Sequence, residues 1–131
     1  MEKFDVVVVG GGPGGYPAAI RAAQLGASVA LVEKEQLGGT CLNWGCIPTK
    51  TLLASSDLFA RMGRAEAMGL KSGKASFDYA AMIQRKDEVV TKLRGGVAGL
   101  LKANGVKVLS GHPTAGGAVA RPDRGDASPS A

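Results

Sequence analysis

The feature that most constrains this chain is the glycine run Gly10-Gly11-Gly12-Pro13-Gly14-Gly15, set directly behind the valine-rich stretch Phe4–Val9. Phe4–Val9 reads as a short parallel strand, fully buried, and stopped by Gly10. Pro13 to Leu25 shows helical spacing, with Ala18, Ala19, Ala22 and Ala23 allowing the helix to lie close to a sheet. Gly26 stands where a C′ glycine ends a helix. Ala27–Val32 reads as a second buried strand, followed by an acid at Glu33. Strand, glycine turn, helix and strand make a βαβ unit with parallel strands and a right-handed crossover.

The glycines satisfy the pattern G-x-G-x-x-G through Gly10, Gly12 and Gly15. Each position has its own physical demand. Gly10 permits a tight turn out of the strand, Gly12 lets the backbone approach a pyrophosphate at the helix N-terminus, and Gly15 lets helix and strand pack closely. Glycine clusters also occur in ordinary loops, so the pattern alone is weak. Its context sharpens it, because it ends a strand, opens a helix and precedes a second strand ending in an acid. Glu33 lies at the expected distance of roughly 20 residues, where a carboxylate accepts hydrogen bonds from ribose hydroxyls. An acid there fits an unphosphorylated adenosine ribose, favouring FAD or NAD over NADP.

The rest of the chain extends the α/β order. Leu37–Gly45 is glycine-rich and reads as irregular; Pro48 suits the first turn of a helix running to about Met62. Gly63–Ser76 reads as a loop. Asp78 is placed to cap a long helix to about Ala103, whose apolar positions Met82, Val89, Val90, Leu93, Val97, Leu100 and Leu101 recur at three and four residues. Gly95, Gly96 and Gly99 either weaken this helix or allow close packing against a neighbour. Asn104-Gly105 is a stop signal, and Val106–Leu109 reads as a third strand. The expected fold class is α/β: a partial, doubly wound, Rossmann-type domain over residues 1–111. From His112 the chain has no Leu, Ile, Met or aromatic residue, so 112–131 is expected to be disordered. Its Ala, Gly, Pro, Arg and Asp bias is also what a frameshifted GC-rich reading frame would encode.

A second constellation follows the βαβ unit: Gly38-Gly39-Thr40-Cys41-Leu42-Asn43-Trp44-Gly45-Cys46-Ile47-Pro48-Thr49-Lys50. In a regular helix, residues five apart are separated by about 7.5 Å of rise. A disulfide needs its Cα atoms within roughly 4.4–6.8 Å. A bridge here therefore requires a distorted turn, for which Gly45 supplies the freedom. Cys46 falls just ahead of the Pro48 helix, where the N-terminal partial charge favours a thiolate, and Lys50 adds positive charge one turn later. A redox pair fits these surroundings better than an inert buried pair. Two cysteines are only half of a structural zinc site, and no metal ligand set is expected.

Taken together, GGTCLNWGCIPTK, the Gly10–Gly15 fingerprint and Glu33 resemble the N-terminus of the pyridine nucleotide-disulfide oxidoreductases. The run YPAAIRAAQLG and Cys-Ile-Pro-Thr-Lys favour the dihydrolipoamide-oxidising members over the glutathione and mercuric reductases, which share the Cys-x4-Cys frame. The resemblance covers about Lys3 to Gly111. It implies an FAD enzyme in which Cys46 lies beside the flavin as the charge-transfer thiolate and Cys41 exchanges with the substrate dithiol. Gly10, Gly12, Pro13, Gly14 and Gly15 would hold the cofactor together with Glu33, Lys34, Gly39, Thr40, Cys41 and Lys50. The implied reaction oxidises protein-bound dihydrolipoamide and passes electrons through FAD to NAD+.

Family members are several times longer, with an NAD-binding domain and a C-terminal dimerisation domain, so the chain reads as an N-terminal fragment that does not turn over alone. For a full-length parent the resemblance implies a homodimer working with the lipoyl domain of a 2-oxo acid dehydrogenase or glycine cleavage complex. A passive FAD or nucleotide-binding module, or a non-functional truncated product, are the alternatives. His112-Pro113-Thr114 echoes the family's acid-base motif by coincidence. The net charge of +5 does not point to nucleic acid, because the basic residues from Lys71 to Arg94 alternate with apolar or acidic neighbours and aromatics make up only 5%. With no signal peptide and no apolar stretch of spanning length, a cytoplasmic location without membrane contact is expected.

Overall fold

A computed structural model describes residues 2–71, 73–114 and 117–118. Three parallel strands form the sheet: β1 (Val6–Val9), β2 (Val29–Glu33) and β3 (Lys107–Ser110), in the spatial order β1-β2-β3. Val6 to Val9 pair with Val29 to Val32, and Ala30 to Glu33 pair with Lys107 to Ser110. Helix α1 (Gly15–Gln24) connects β1 to β2. Between β2 and β3 come α2 (Gly39–Trp44), α3 (Cys46–Met62), a single 3-10 turn (Ala65–Met68) and α4 (Tyr79–Ala103). This is one wing of a doubly wound sheet, in which successive strands step in one direction.

Stepping in one direction with right-handed crossovers places α1 and α4 on the same face. There they share a core: Ala19 of α1, Val29 and Leu31 of β2, Leu42 of α2, and Val90, Val97 and Leu101 of α4, with Val106 at the entry to β3. The central strand is buried from Val29 to Val32. β1 differs from expectation. It stands at the sheet edge, and Val7 and Val9, which alternate with the core-packed Val8, are 49% and 62% exposed. A run of valines reports strand propensity but not which face is covered.

Local signals act as expected at several ends. Gly26 takes φ +94° after α1, and Ala27 N–H donates to Ala22 O at 3.2 Å, closing the helix. The Asp78 carboxylate accepts from Ala81 N–H at 3.1 Å, capping α4. The bottom of the sheet is fastened by Asp5, whose carboxylate accepts from the Ser28 hydroxyl at 2.6 Å and the Ser28 N–H at 2.8 Å. The side-chain bond first, and the backbone bond second, hold the Asp5 carboxyl below its ordinary value.

Further expectations are corrected. Leu37–Gly45 is not wholly irregular, since Gly39–Trp44 is helical. The Gly63–Ser76 loop contains the 3-10 turn. The start of the tail is paired, with Pro113–Thr114 forming β4 and Gly117–Ala118 forming β5, antiparallel to each other. Two short segments need only a ladder bond or two, which composition does not forbid. Residues 115–116 and 119–131 of the expected disordered stretch lie outside the described residues. In α1, Ala19 is buried while Ala18 faces outward. In α4, a Cβ at Gly95, Gly96 or Gly99 would meet nothing within 4 Å, so the close-packing alternative is not realised there.

Glycine is required at position 15 for a different reason. A Cβ there would lie 1.8 Å from the Gly10 carbonyl oxygen, which is backbone and has no room to move aside. Gly15→Ala is therefore expected to cost more than about 3 kcal/mol or to prevent folding. Gly99→Ala, in open space within a helix, is expected to add roughly 0.5–1 kcal/mol. Urea unfolding of the two variants checks this pair, and equal effects would contradict it.

Candidate functional site

The site is built where the C-terminal ends of β1 and β2 meet the start of α2. After β1 the chain turns through Gly10, at φ +95°, into α1. No side chain caps α1 and its first turn holds no acid; Gly15 and Tyr16 N–H donate to Gly12 O at 3.0 and 3.1 Å, and the helix end keeps its partial positive charge toward the loop. The glycine loop and α2 are in backbone contact. Gly38 N–H donates to Gly11 O at 2.8 Å, and the Cα atoms of Gly12 and Gly39 meet so closely that a Cβ on Gly39 would lie 2.8 Å from Gly12 Cα. Gly39 also adopts φ +59°, which favours glycine on conformational grounds.

Glu33 ties the loop to the sheet. Its Oε2 accepts from Gly11 N–H at 2.7 Å and its Oε1 from Glu35 N–H at 2.9 Å. A carboxylate has about four lone-pair sites, so these two bonds leave acceptor capacity for hydroxyl groups. Glu33 faces a cavity of about 360 Å³ together with Gly10, Lys34, Gly39 and Thr40, all expected from sequence. Val9, Val32, Glu35, Gln36 and Trp44, with Gly111 and Pro113, complete its wall. Lys34 pairs with Glu35 at 3.7 Å, an exposed contact of little energetic weight.

Cys41 lies in α2 and Cys46 opens α3, and the two are joined in a disulfide with Cα atoms 4.7 Å apart. The break that permits it is Gly45, at φ −125° and ψ −103°, neither helical nor extended. Helix α3 begins as its first bond forms from Thr49 N–H to Gly45 O at 3.1 Å. Cys46 thus occupies a helix N-terminus and is exposed, while Cys41 is half-buried. Cys41 and Pro13 border a second, apolar cavity of about 350 Å³ with Tyr16, Ile47 and Leu93. Cys46 and Lys50 border neither of these cavities, and Lys50 is exposed one turn along α3. The expected residues therefore fall into a corner beside the glycine loop and an adjoining disulfide turn rather than one pocket.

Two residues that the sequence did not single out hold this corner in shape. Asn43 is buried, and its side-chain amide donates to Leu37 O at 3.0 Å and Gly39 O at 2.9 Å. Its carbonyl accepts from Arg94 Nε–H at 2.9 Å, which ties α2 to α4 across 51 positions of sequence. Without a helix assigned to 39–44, nothing marked Asn43 as inward-facing.

Comparison with known proteins places this geometry. Residues 4–122 match the pyridine nucleotide-disulphide oxidoreductase family, and the chain belongs to that family. The dihydrolipoyl dehydrogenase of Zymomonas mobilis is 58% identical over 110 residues, 84% of this chain and 24% of that protein. The dihydrolipoyl dehydrogenase of Chlorobaculum tepidum is 48% identical over 125 residues, 92% of this chain and 27% of that one. Among solved structures, a copper(II) complex of the HOCl-induced flavoprotein disulfide reductase RclA from Escherichia coli is similar, with a TM-score of 0.68 and 34% identity over 85% of this chain and 22% of that one. The chain spans about a quarter of the length of the curated relatives it matches. The family match continues to residue 122, beyond the boundary expected at Gly111. Among the described residues, no helix is long and apolar enough to cross a membrane.

Removing Asn43 strips two backbone carbonyls and an arginine of a shared partner. Asn43→Ala is expected to destabilise the chain by about 2 kcal/mol, more than Arg94→Ala, because unpaired buried polar groups carry the larger penalty. Urea unfolding measures both. A loss under about 0.5 kcal/mol for Asn43→Ala would contradict the clamp.

Proposed function

We propose that this chain is the FAD- and dithiol-bearing part of a disulfide oxidoreductase that oxidises dihydrolipoamide. The observation that carries the reading is the backbone contact of the glycine loop with α2, the helix that holds Cys41. A pyrophosphate laid against the glycine loop at the N-terminus of α1 would meet close backbone and a favourable dipole. A Cβ at Gly12 would have only Gly39 Cα for a neighbour, at 3.9 Å, so the loop's outer surface is open to a ligand. Glu33 retains acceptors for the adenosine ribose, with Lys34, Gly39 and Thr40 on the same cavity. Pro13, Gly14 and Gly15 complete the turn, and Lys50 stands one turn beyond Cys46 on α3. These residues fit FAD.

FAD, when bound, supplies a two-electron acceptor for the reduced cysteine pair. The cysteines themselves carry out the exchange. One thiolate of the substrate attacks Cys41 Sγ, breaking the Cys41–Cys46 bond and releasing Cys46 as a thiolate. The second substrate thiol gives up its proton and attacks the sulfur bonded to Cys41, closing the substrate disulfide and releasing Cys41. Two electrons have then moved from the dithiol to the cysteine pair. Cys46, at the start of α3, is the better-stabilised thiolate, with the helix N-terminus and Lys50 both favouring negative charge. For a parent of the relatives' length, the reading adds NAD+ as final acceptor, a homodimer, a cytoplasmic setting, and the lipoyl domain of a 2-oxo acid dehydrogenase or glycine cleavage complex as substrate.

The visible spectrum of the full chain with excess FAD tests this. Flavin is expected to bind weakly and be lost on gel filtration. Reduction of the disulfide in its presence is expected to raise a long-wavelength absorbance band, removed by Cys46→Ser and kept by Cys41→Ser. Turnover of NAD+ is expected to be absent. Failure of FAD to perturb either spectrum or chain at saturating concentration would contradict the reading.

A further inference from the structure

Trp44 is the chain's one tryptophan and the last residue of α2, and it is left 58% exposed. A large aromatic side chain left at the wall of a cavity calls for an explanation, because burying it elsewhere would be favourable. Thr40 lies four residues earlier, so the two side chains project from the same side of the helix. Both border the cavity that Glu33, Lys34 and Glu35 border from the end of β2. Cys46, two residues further on, is not part of that cavity. Trp44 therefore shares a cavity with the acid that would hold a ribose, and Cys46 does not.

We propose that Trp44 is the aromatic wall of an adenosine subsite, its indole packing on the adenosine half of the dinucleotide while Glu33 takes the ribose hydroxyls. This rests on reading the cavity as a dinucleotide site. The chemistry suits the position: a purine offers a flat apolar face, and stacking on an aromatic side chain needs no hydrogen-bond code. Glu33, Glu35 and Lys34 bring charge to the cavity, while the indole adds a flat face to the apolar lining of Val9, Val32 and Pro113. Because Trp44 is a single fluorophore, its emission reports the subsite directly.

The experiment titrates the full chain with ADP, FAD and FMN, following both calorimetric heat and tryptophan emission. ADP and FAD are expected to bind and to quench Trp44, and FMN at the same concentration to leave it unchanged. Trp44→Ala is expected to weaken ADP and FAD binding about tenfold and Trp44→Phe less than about threefold, a scale set by base–aromatic stacking. The unfolding midpoints of the ligand-free variants are expected to match the parent, which separates lost contact from lost fold. Binding heat with unchanged emission and undiminished affinity in Trp44→Ala would overturn this assignment while leaving the dinucleotide site standing. Quenching by FMN but not ADP would place the indole on the flavin half and overturn it. No heat with ADP or FAD would overturn both the assignment and the reading beneath it.

Discussion

The contact on which this structure depends is between two stretches of glycine backbone. The loop after β1 and the start of α2 touch through the Gly38 N–H to Gly11 O bond and through the Cα atoms of Gly12 and Gly39. Side chains would hold these segments apart, and without the contact the disulfide turn would have no fixed relation to the nucleotide corner. Glu33 and Asn43 then lock the contact from either side, one by accepting from Gly11 N–H and the other by donating to Leu37 O and Gly39 O. The consequence is functional. On the proposed reading, a dinucleotide seated at the α1 N-terminus would lie against the same helix that carries Cys41, giving binding and redox chemistry one support.

The fold around this contact is asymmetric. One face of the sheet is packed by α1 and α4, and the core of Leu31, Val97 and Leu101 lies there. The face bearing Val7 and Val9 is largely exposed, as is the outer edge of β1. Unpaired strand edges and exposed valines make a chain prone to association. Helix α4, with three glycines in open space, gains little from propensity and depends on its few buried positions, Val90, Val97 and Leu101.

Much of this was legible in the sequence wherever the signal is local. The Gly10-Gly12-Gly15 spacing, the acid at Glu33, the Asp78 cap and Gly26 each act through neighbours within a turn or along a short crossover, and a pattern of that range survives in one sequence. The α2 helix was not legible, because six residues bounded by glycines have too little propensity to announce a helix; tertiary contact makes it. Missing α2 hid the inward face of Asn43 and the Thr40–Trp44 pairing. The exposure of β1 was likewise hidden, since four valines read the same at an edge and at a centre. Arg94 offered no signal at all, because its partner is 51 positions away.

The central claim is that the glycine loop and the disulfide-bearing helix form one nucleotide-holding unit. Backbone amide chemical shifts of the full chain, followed by NMR during titration with ADP, test it most directly. Saturable shifts are expected at Gly12, Gly14 and Gly15 of the loop and at Gly39 and Thr40 of α2, moving together with one dissociation constant, with Phe59 and Tyr79 unaffected. Shifts confined to the loop, or centred on the far ends of α3 and α4, would contradict it.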